Sequence, residues 1–312
     1  MSERSWKSRG IDDEAYAALC RELPPSRLWS LLLDVLEQRA AQRTPATLTE
    51  QWAGDRFVQP AGIDQRTLAA LDAQLLAAAD GFEALELSPL APLGVCSAVG
   101  LASQNKVVSA VRGTEVVSDP TNVLALECAR RLKSHPDAVV RLATSHRCVR
   151  AQEVPKQPGF AAHFRMFCLA TAGRERKDHA FVSGGIIEHI ETMLAALDRL
   201  ERHGYAFPNR VVRVFATPAV AHVGDRIAAA VTGVEVVRAP LEHGYYNGGL
   251  RFQIGARTAG GADVPLIDGG SFDWVGTLAA NQRLAFVATG MGSQLAAYAY
   301  RIQPPPATTS PS

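Results

Sequence analysis

The pattern of apolar and polar positions divides the chain into a helical first part and a strand-rich second part. Apolar residues recur at helical spacing in residues 26–42 and 64–79, and residues 13–22 fit a further helix. A short helix could follow Thr44. This pattern predicts a helical N-terminal region over residues 1–80.

Three predicted helices begin beside a polar residue that can cap the free amides of the first turn. Ser26 and Asp64 stand at the starts of two helices in the N-terminal region. Asp119 or Ser118 stands before a helix that ends near residue 133. Short oxygen-bearing side chains accept hydrogen bonds from these amides, so we expect the helices to begin there.

Residues 138–172 contain two strand-like runs on either side of a loop at 155–159 that is rich in proline and glycine. This arrangement predicts an antiparallel hairpin. Guanidinium groups bind phosphate or carboxylate through two parallel hydrogen bonds, so arginines near the tip could hold an anionic ligand. Alternatively, they only keep an edge strand soluble. The cations concerned are Arg147, Arg150, Lys156 and Arg165.

The remaining pattern predicts a mixed order of strands and helices. Pro89 and Pro92 are expected to stop any ladder in residues 88–94, because proline lacks the amide that a ladder needs. Strands are predicted at 82–87, 107–110, 115–117, 211–216, 234–237, 244–254 and 283–288, and helices at 183–203, at 218–230 and from 294 to about 301.

Glycines interrupt the late strand-like segments at three places, namely Gly248-Gly249, Gly269-Gly270 and Gly290-Met-Gly292. Glycine weakens a strand unless something must approach the backbone closely. Polar and aromatic residues accompany these glycines, which favours a pocket for a small polar ligand. The alternative is that the glycines only form bulges and tight turns. The accompanying residues are Tyr245, Tyr246, Asp268, Ser271 and Asp273.

Composition narrows the class of protein. The 312 residues are 47% hydrophobic, which suffices for one large or two ordinary domains. The net charge of +1 gives no global support for a nucleic-acid or anionic-membrane partner. No stretch approaches the roughly 20 apolar residues of a membrane span, so no membrane contact is expected. Five cysteines without Cys-x-x-Cys spacing indicate reduced thiols in the cytoplasm.

Six short segments carry chemistry-bearing residues in a fixed order. They are residues 83–94, Ser118-Asp-Pro-Thr121, Val149-Arg-Ala-Gln152 with His163-Phe164, Gly244-Tyr-Tyr-Asn-Gly248, Asp268-Gly-Gly-Ser-Phe-Asp273 and Gly290-Met-Gly292. Their number, order and spacing over roughly residues 82–302 resemble the catalytic core of class II aminoacyl-tRNA synthetases. The histidyl branch is the most similar. It includes the regulatory subunit of ATP phosphoribosyltransferase, a synthetase-like protein that does not charge tRNA.

The resemblance implies an α+β fold, in which helices flank an antiparallel sheet that binds ATP, with or without Mg²⁺, and an amino acid. The predicted domains are the helical region 1–80, the synthetase-like core 81–302 and a disordered tail 303–312. Residues 83–94 would form a homodimer contact. No metal-binding protein residues are implied.

The same resemblance assigns roles to individual residues. Arg150 would contact the α-phosphate and the substrate carboxylate, and Phe164 would stack on adenine. Asp119 and Thr121 would hold the substrate amino group. Further nucleotide-binding residues would be Gln152, Gly290 and Gly292, and further substrate-binding residues Tyr245, Tyr246, Asn247, Gly269, Gly270 and Asp273.

The chain departs from the family pattern at the third motif. Leu295 occupies the position of the arginine that grips the γ-phosphate. Losing one charged hydrogen bond to a phosphate costs about 1.5–3 kcal/mol. Compensation could come from Arg251, Arg283 or Arg301.

Other departures affect the recognition of a histidine side chain. Leu241, Met166 and Ala170 replace an arginine, a glutamine and a glutamate of the histidyl branch, Phe272 replaces a tyrosine, and Gln152 replaces the glutamate of the second motif, although Glu153 is adjacent. No anticodon-binding domain follows residue 302, so tRNA charging is not expected.

Three hypotheses follow. The first is a degenerate paralogue that binds an amino-acid-like or nucleotide ligand, as a regulatory homodimer with a partner enzyme. The second is an ATP-dependent adenylate-forming ligase that activates an amino or carboxylic acid for an acceptor other than tRNA. The third is an interaction protein whose pocket binds nothing.

Overall fold

The computed structural model describes residues 10–153, 160–258 and 260–302. The predictions about Lys156, the loop at 155–159 and the tail at 303–312 lie outside these described residues. Helices occur at α1 (Asp13–Ala17), α2 (Pro25–Ala41), α3 (Pro45–Gly54), α4 (Gln65–Ala78), α5 (Pro120–Ser134), α6 (Ala180–Glu201), α7 (Ala221–Ala230), α8 (Trp274–Leu278) and α9 (Ser293–Ala299).

Strands make one large sheet and one small sheet. They are β1 (Glu83–Ala84), β2 (Leu90–Pro92), β3 (Ser109–Ala110), β4 (Thr114–Val116), β5 (Val140–Val149), β6 (His163–Arg174), β7 (Val211–Ala216), β8 (Glu235–Pro240), β9 (Leu250–Arg257), β10 (Asp263–Phe272) and β11 (Leu284–Met291).

The large sheet has the order β1-β5-β6-β11-β10-β9-β7-β8. Neighbours are antiparallel from β5 through to β7, whereas the outer pairs β1–β5 and β7–β8 are parallel. The small sheet, β2-β4-β3, is antiparallel. This architecture confirms the predicted α+β class with a mainly antiparallel sheet flanked by helices.

Both faces of the large sheet are buried along β6. Along β6, Phe167 and Leu169 pack with α4, α6 and α9, whereas Cys168 and Ala170 pack on the opposite face with α5 and α8. Successive strand residues point to opposite faces, so a strand covered on both sides is a continuous apolar run. Strand β6 of the predicted hairpin is therefore covered on both faces.

Helix α4 joins the predicted N-terminal region to this core. Its Leu68, Leu71 and Leu75 are buried in the same cluster as α6, while α2 has no buried residue. The domain boundary at residue 80 remains a prediction. The leucine stripe of α4, although it precedes that boundary in the chain, packs into the core that contains the large sheet.

Two of the three predicted caps are observed. Asp64 accepts a hydrogen bond from the amide of Thr67, and Asp119 accepts one from the amide of Thr121. The prediction for Ser26 was wrong, because α2 begins at Pro25 without a side-chain cap. Proline suits this position since the first-turn amide needs no partner within the helix.

Three strand predictions need correction. The predicted strand 82–87 is reduced to the two residues of β1. Pro92 does not prevent a ladder, because β2 pairs with β4 on only one side and proline is tolerated at a sheet edge. The strand expected from residue 244 begins only at Leu250, after a turn in which Gly249 has a φ of +81°.

Helix α6 qualifies the prediction that no stretch could span a membrane. Among the described residues, the helical stretch Lys177–Glu201 is long and apolar enough by length and composition. Over half of its most apolar window is buried inside the protein, which is also how the core helix of a soluble domain behaves. Ile186, Ile190 and Met193 pack against the sheet.

His189 lies on the buried side of α6, between two strands. Its Nε2 lies 3.0 Å from Thr171 Oγ1 and its Nδ1 lies 2.7 Å from Thr289 Oγ1. Burial, with a smaller contribution from Arg141, lowers the pKa of His189 from 6.5 to about 3. The imidazole is therefore neutral in the folded protein, as expected of a packed histidine.

We expect a specific loss of stability in acid because of this histidine. Since its folded pKa lies below its unfolded value, its contribution is complete above pH 6.5 and is lost as the pH falls towards 3. Between these pH values the free energy of unfolding should fall by about 1.4 kcal/mol per pH unit because of His189. Urea unfolding of wild type and His189→Gln between pH 7 and 4 measures it. If the free energy of unfolding depended on pH in the same way for both proteins, His189 would not be the cause of the loss in acid.

Candidate functional site

A cavity of about 330 Å³ opens on the face of the sheet that packs against α5 and α8. Its volume suits a small metabolite. The structure brings together eight of the residues that the sequence selected, namely Asp119, Thr121, Arg150, Gln152, Tyr245, Tyr246, Gly269 and Gly290.

Five other selected residues do not line this cavity. Asn247 and Asp273 bind each other, because Asn247 Nδ2 donates to Asp273 Oδ1 at 2.6 Å and the Asp273 amide donates to Asn247 Oδ1 at 3.1 Å. This pair fastens the turn before β9 to the end of β10. Phe164, Gly270 and Gly292 lie outside the lining, so ligand contact by these five residues remains a prediction.

Arg150 and Asp119 form the charged wall of the cavity. Arg150 Nη2 lies 3.5 Å from Asp119 Oδ2, and Arg150 Nε donates to the Ser118 carbonyl at 2.9 Å. The guanidinium also lies over the Phe164 ring, with its carbon 5.1 Å from the ring centre. One face of Phe164 is thus covered by Arg150.

The pairing of β5 and β6 explains this arrangement. Cys148 lies opposite Phe164, and His146 lies opposite Met166. Directly opposite residues share one face of a sheet, so Phe164 and Met166 border the cavity side. Arg150 follows β5 immediately, and its amide donates to the Ala162 carbonyl at 2.8 Å.

The other two described arginines that were predicted near the hairpin tip point to the opposite face. Arg165 lies 2.5 Å from Asp72 on α4, and Arg147 lies 3.1 Å from His163 and 3.4 Å from Gln294. All are partly buried and have partners within the fold. The alternative that they only keep an edge strand soluble is therefore wrong.

Asp268 rather than Asp273 supplies the second carboxylate of the cavity. Arg251 binds it through Nε at 3.0 Å and Nη2 at 2.6 Å, and the Tyr246 hydroxyl donates to it at 2.6 Å. The guanidinium of Arg251 also lies against the rings of Tyr246 and Phe215, at 4.9 and 5.2 Å. Asp268 is therefore fully engaged within the protein.

The third-motif position provides no cation at the cavity. Leu295 packs against the apolar cluster on the opposite face of the sheet. Arg251 is committed to Asp268, and Arg301 donates to Thr67 on α4. Arg251, Arg283 and Arg301 therefore do not line the cavity. Among the described residues, the cations that line it are Lys106 and Arg150.

An aromatic cluster closes the end of the cavity. The ring of Tyr245 meets those of Phe272 and Trp274 edge-on, with centres 5.5 and 5.8 Å apart. Burial raises the pKa of both Tyr245 and Tyr246. Both phenols therefore remain neutral hydrogen-bond donors at neutral pH.

The glycines make room for protein side chains. A Cβ at Gly270 would lie 2.6 Å from the Tyr246 ring, and one at Gly290 would lie 2.7 Å from the end of Met166. A Cβ at Gly269 would lie 2.5 Å from Thr289 Oγ1. Such distances are too short for real atoms, so the glycines position the cavity walls instead of leaving open space for a ligand.

The sequence did not single out most of the remaining lining. Asn122 could have been found, because it follows Asp119 and Thr121 in the first turn of α5. Ser118, Met166 and Phe272 had been compared with family positions without being assigned a contact with a ligand. No local signal marked the others, since they reach the cavity only through the fold. The residues concerned are Cys96, Gly100, Ala102, Lys106, Ser118, Asn122, Met166, Phe272, Ala288 and Thr289. Within the described ranges, no group of three or more His, Cys, Asp or Glu residues could hold a metal ion.

Three solved structures with the same fold are distant in sequence. The ATP phosphoribosyltransferase regulatory subunit/histidyl-tRNA synthetase from Bacillus halodurans is 14% identical, with a TM-score of 0.56 over 77% of this chain and 82% of that chain. A histidine–tRNA ligase subunit from Alicyclobacillus acidocaldarius is 12% identical, with a TM-score of 0.55 over 77% of this chain and 96% of its own.

Histidyl-tRNA synthetase from Nostoc sp. PCC 7120 is 13% identical, with a TM-score of 0.54 over 77% of this chain and 73% of that chain. The sequence matches no family model and no curated protein. At these identities the similarity shows the fold alone. That fold is the one expected from the sequence, the class II synthetase type with histidyl-branch structures among its neighbours.

Proposed function

We propose that this protein, whose fold is that of class II synthetases, binds an amino-acid-like or nucleotide small molecule without charging tRNA, as a regulatory paralogue. One observation carries the proposal: Asp119 and Arg150 lie 3.5 Å apart on the wall of one cavity. A carboxylate beside a guanidinium complements the ammonium and carboxylate groups of an amino acid. Arg150 can bind either the carboxylate of an amino acid or a phosphate group.

The loss of phosphate clamps favours binding over catalysis. Adenylate formation depends on positioning and charge stabilisation. Leu295 is partly buried against the apolar core, and Arg251 is held by Asp268. Each missing charged contact costs about 1.5–3 kcal/mol, so ATP, with or without Mg²⁺, would bind here without efficient transfer.

The proposal extends to assembly. One structural neighbour is, by its name, a regulatory subunit of ATP phosphoribosyltransferase. We propose by analogy that this protein is a cytoplasmic homodimer that acts through a partner enzyme.

The alternative function is an ATP-dependent adenylate-forming ligase with an acceptor other than tRNA. Arg150 and Lys106 on one cavity wall favour it, because together they could bind an α-phosphate. Pyrophosphate exchange distinguishes it from the regulatory function.

The test combines ligand binding with pyrophosphate exchange. Calorimetry and thermal shift with the twenty amino acids, ATP and AMP should reveal at least one ligand, and a ligand at 100 times its Kd stabilises the fold by about 2.7 kcal/mol. We expect no exchange. Exchange with any amino acid would establish the ligase instead, and a protein that binds none of these compounds would refute both.

A matched pair of cap variants localises the binding. Asp119→Asn retains the helix cap but removes the charge, so it should weaken an ammonium ligand about tenfold or more. Asp64→Asn makes the same change at the cap of α4, outside the cavity, and should leave binding unchanged.

A further inference from the structure

Two buried polar atoms on the cavity wall have no hydrogen-bond partner within the protein. Asn122 is 2% exposed and Ser118 is 5% exposed, and both line the cavity. Asn122 Oδ1 and Ser118 Oγ are both unpaired. Buried polar atoms are nearly always hydrogen-bonded in folded proteins, so this part of the wall is suited to a polar group of a ligand.

The Asn122 side chain is held against the chain at Gly100. A Cβ at Gly100 would lie 2.6 Å from Asn122 Nδ2 and 3.0 Å from Oδ1. Glycine therefore lets the amide pack directly on the backbone. The unpaired acceptor is fixed by this packing, which is how a site discriminates between ligands.

The charges around Asn122 favour a neutral donor. Among the described lining residues the carboxylates are Asp119 and Asp268. Asp268 is occupied by Arg251 and Tyr246, and Asp119 is assigned to the ligand ammonium group. A second cationic group would therefore find no free partner. The aromatic rings of Tyr245 and Phe272 also border the cavity and suit the apolar part of a side chain.

We propose that the ligand is an amino acid whose side chain carries a neutral hydrogen-bond donor, a hydroxyl or a carboxamide, bound by Asn122 with Ser118 beside it. This inference rests on the proposed function, because it takes Asp119 and Arg150 as the anchors of the ammonium and carboxylate groups. Asn122 then determines specificity for the side chain.

Calorimetry of the full-length protein with matched amino acids tests this proposal. The pairs are L-serine with L-alanine, L-threonine with L-valine, L-asparagine with L-leucine and L-glutamine with L-methionine. A site built around a buried acceptor rejects the analogue that lacks the donor. We expect the tightest ligand to be a donor-bearing member, bound about tenfold or more tightly than its partner.

Variants at Asn122 identify the residue responsible. Asn122→Leu should bring the ratio within the best pair to about one, whereas Asn122→Asp, which keeps an acceptor oxygen, should preserve the preference. Asn105→Leu makes the same change at an exposed position that does not line the cavity, and it should alter nothing. Thermal melting checks the fold of each variant, and the wild-type pairs decide the matter even if Asn122→Leu does not fold.

The outcomes separate this inference from the proposed function. If an apolar member binds as tightly as its partner, or Asn122→Leu keeps the preference, the side-chain inference is overturned and the proposed function stands. If no amino acid binds but ATP or AMP does, the side-chain inference is overturned and the proposed function stands. If none of these compounds binds, both are overturned.

Discussion

Replacing Arg150 by methionine should weaken the binding of the best amino acid ligand about 10- to 100-fold. The guanidinium supplies charge-assisted hydrogen bonds at the cavity wall, each worth about 1.5–3 kcal/mol. Its neighbours Ser118, Asp119 and Phe164 fix its direction. Calorimetry should compare the amino acid with the amine that lacks its carboxylate. The amine should lose much less affinity, because it does not use Arg150.

Two further variants make this result specific. Arg150→Lys should recover only part of the affinity, because an ammonium group cannot form the two parallel bonds of a guanidinium. Arg174→Met, on the same hairpin, removes an exposed arginine that pairs with Asp137 at 3.2 Å, and binding should be unchanged. Equal losses for the amino acid and its amine would show that Arg150 does not hold the carboxylate.

Replacing Asp72 by alanine should lower the free energy of unfolding by about 3 kcal/mol. Asp72 is 6% exposed and binds Arg165 at 2.5 Å and the Ser145 hydroxyl at 2.6 Å. Burial raises the pKa of Asp72, despite the nearby arginine. Removing one member of a buried pair leaves the other charge without compensation, which costs about 3–5 kcal/mol. We expect the lower end of this range because Arg165 is partly exposed. Urea unfolding of wild type and Asp72→Ala at pH 7 measures the change in the free energy of unfolding.

A double-mutant cycle tests the cause of this destabilisation. Arg165→Met combined with Asp72→Ala should cost less than the sum of the single changes, because no uncompensated charge remains. Asp137→Ala, in the exposed pair with Arg174, should cost under about 1 kcal/mol. Additive single changes, or an effect of Asp72→Ala as small as that of Asp137→Ala, would mean that the pair does not fasten α4 to the hairpin.

The sequence alone predicted the elements whose signals are local. The strand-like runs within residues 138–172 predicted a hairpin, and the structure forms it as β5 and β6, the second and third of the eight strands of the large sheet. Asp64 and Asp119 predicted helix starts, because a cap involves residues two or three positions apart. The class of fold was predicted from the resemblance of six ordered segments to class II synthetases.

Only the tertiary structure decided which side chains share the cavity. Asp268 faces it whereas Asp273 lies beyond the end of β10 and binds Asn247, a difference of five residues that no local pattern records. Asn122 gained its significance because the backbone at Gly100 packs against it. The physical reason is that periods of 2 and 3.6 residues are encoded locally. Strand register and the packing of distant segments depend instead on contacts across the whole chain.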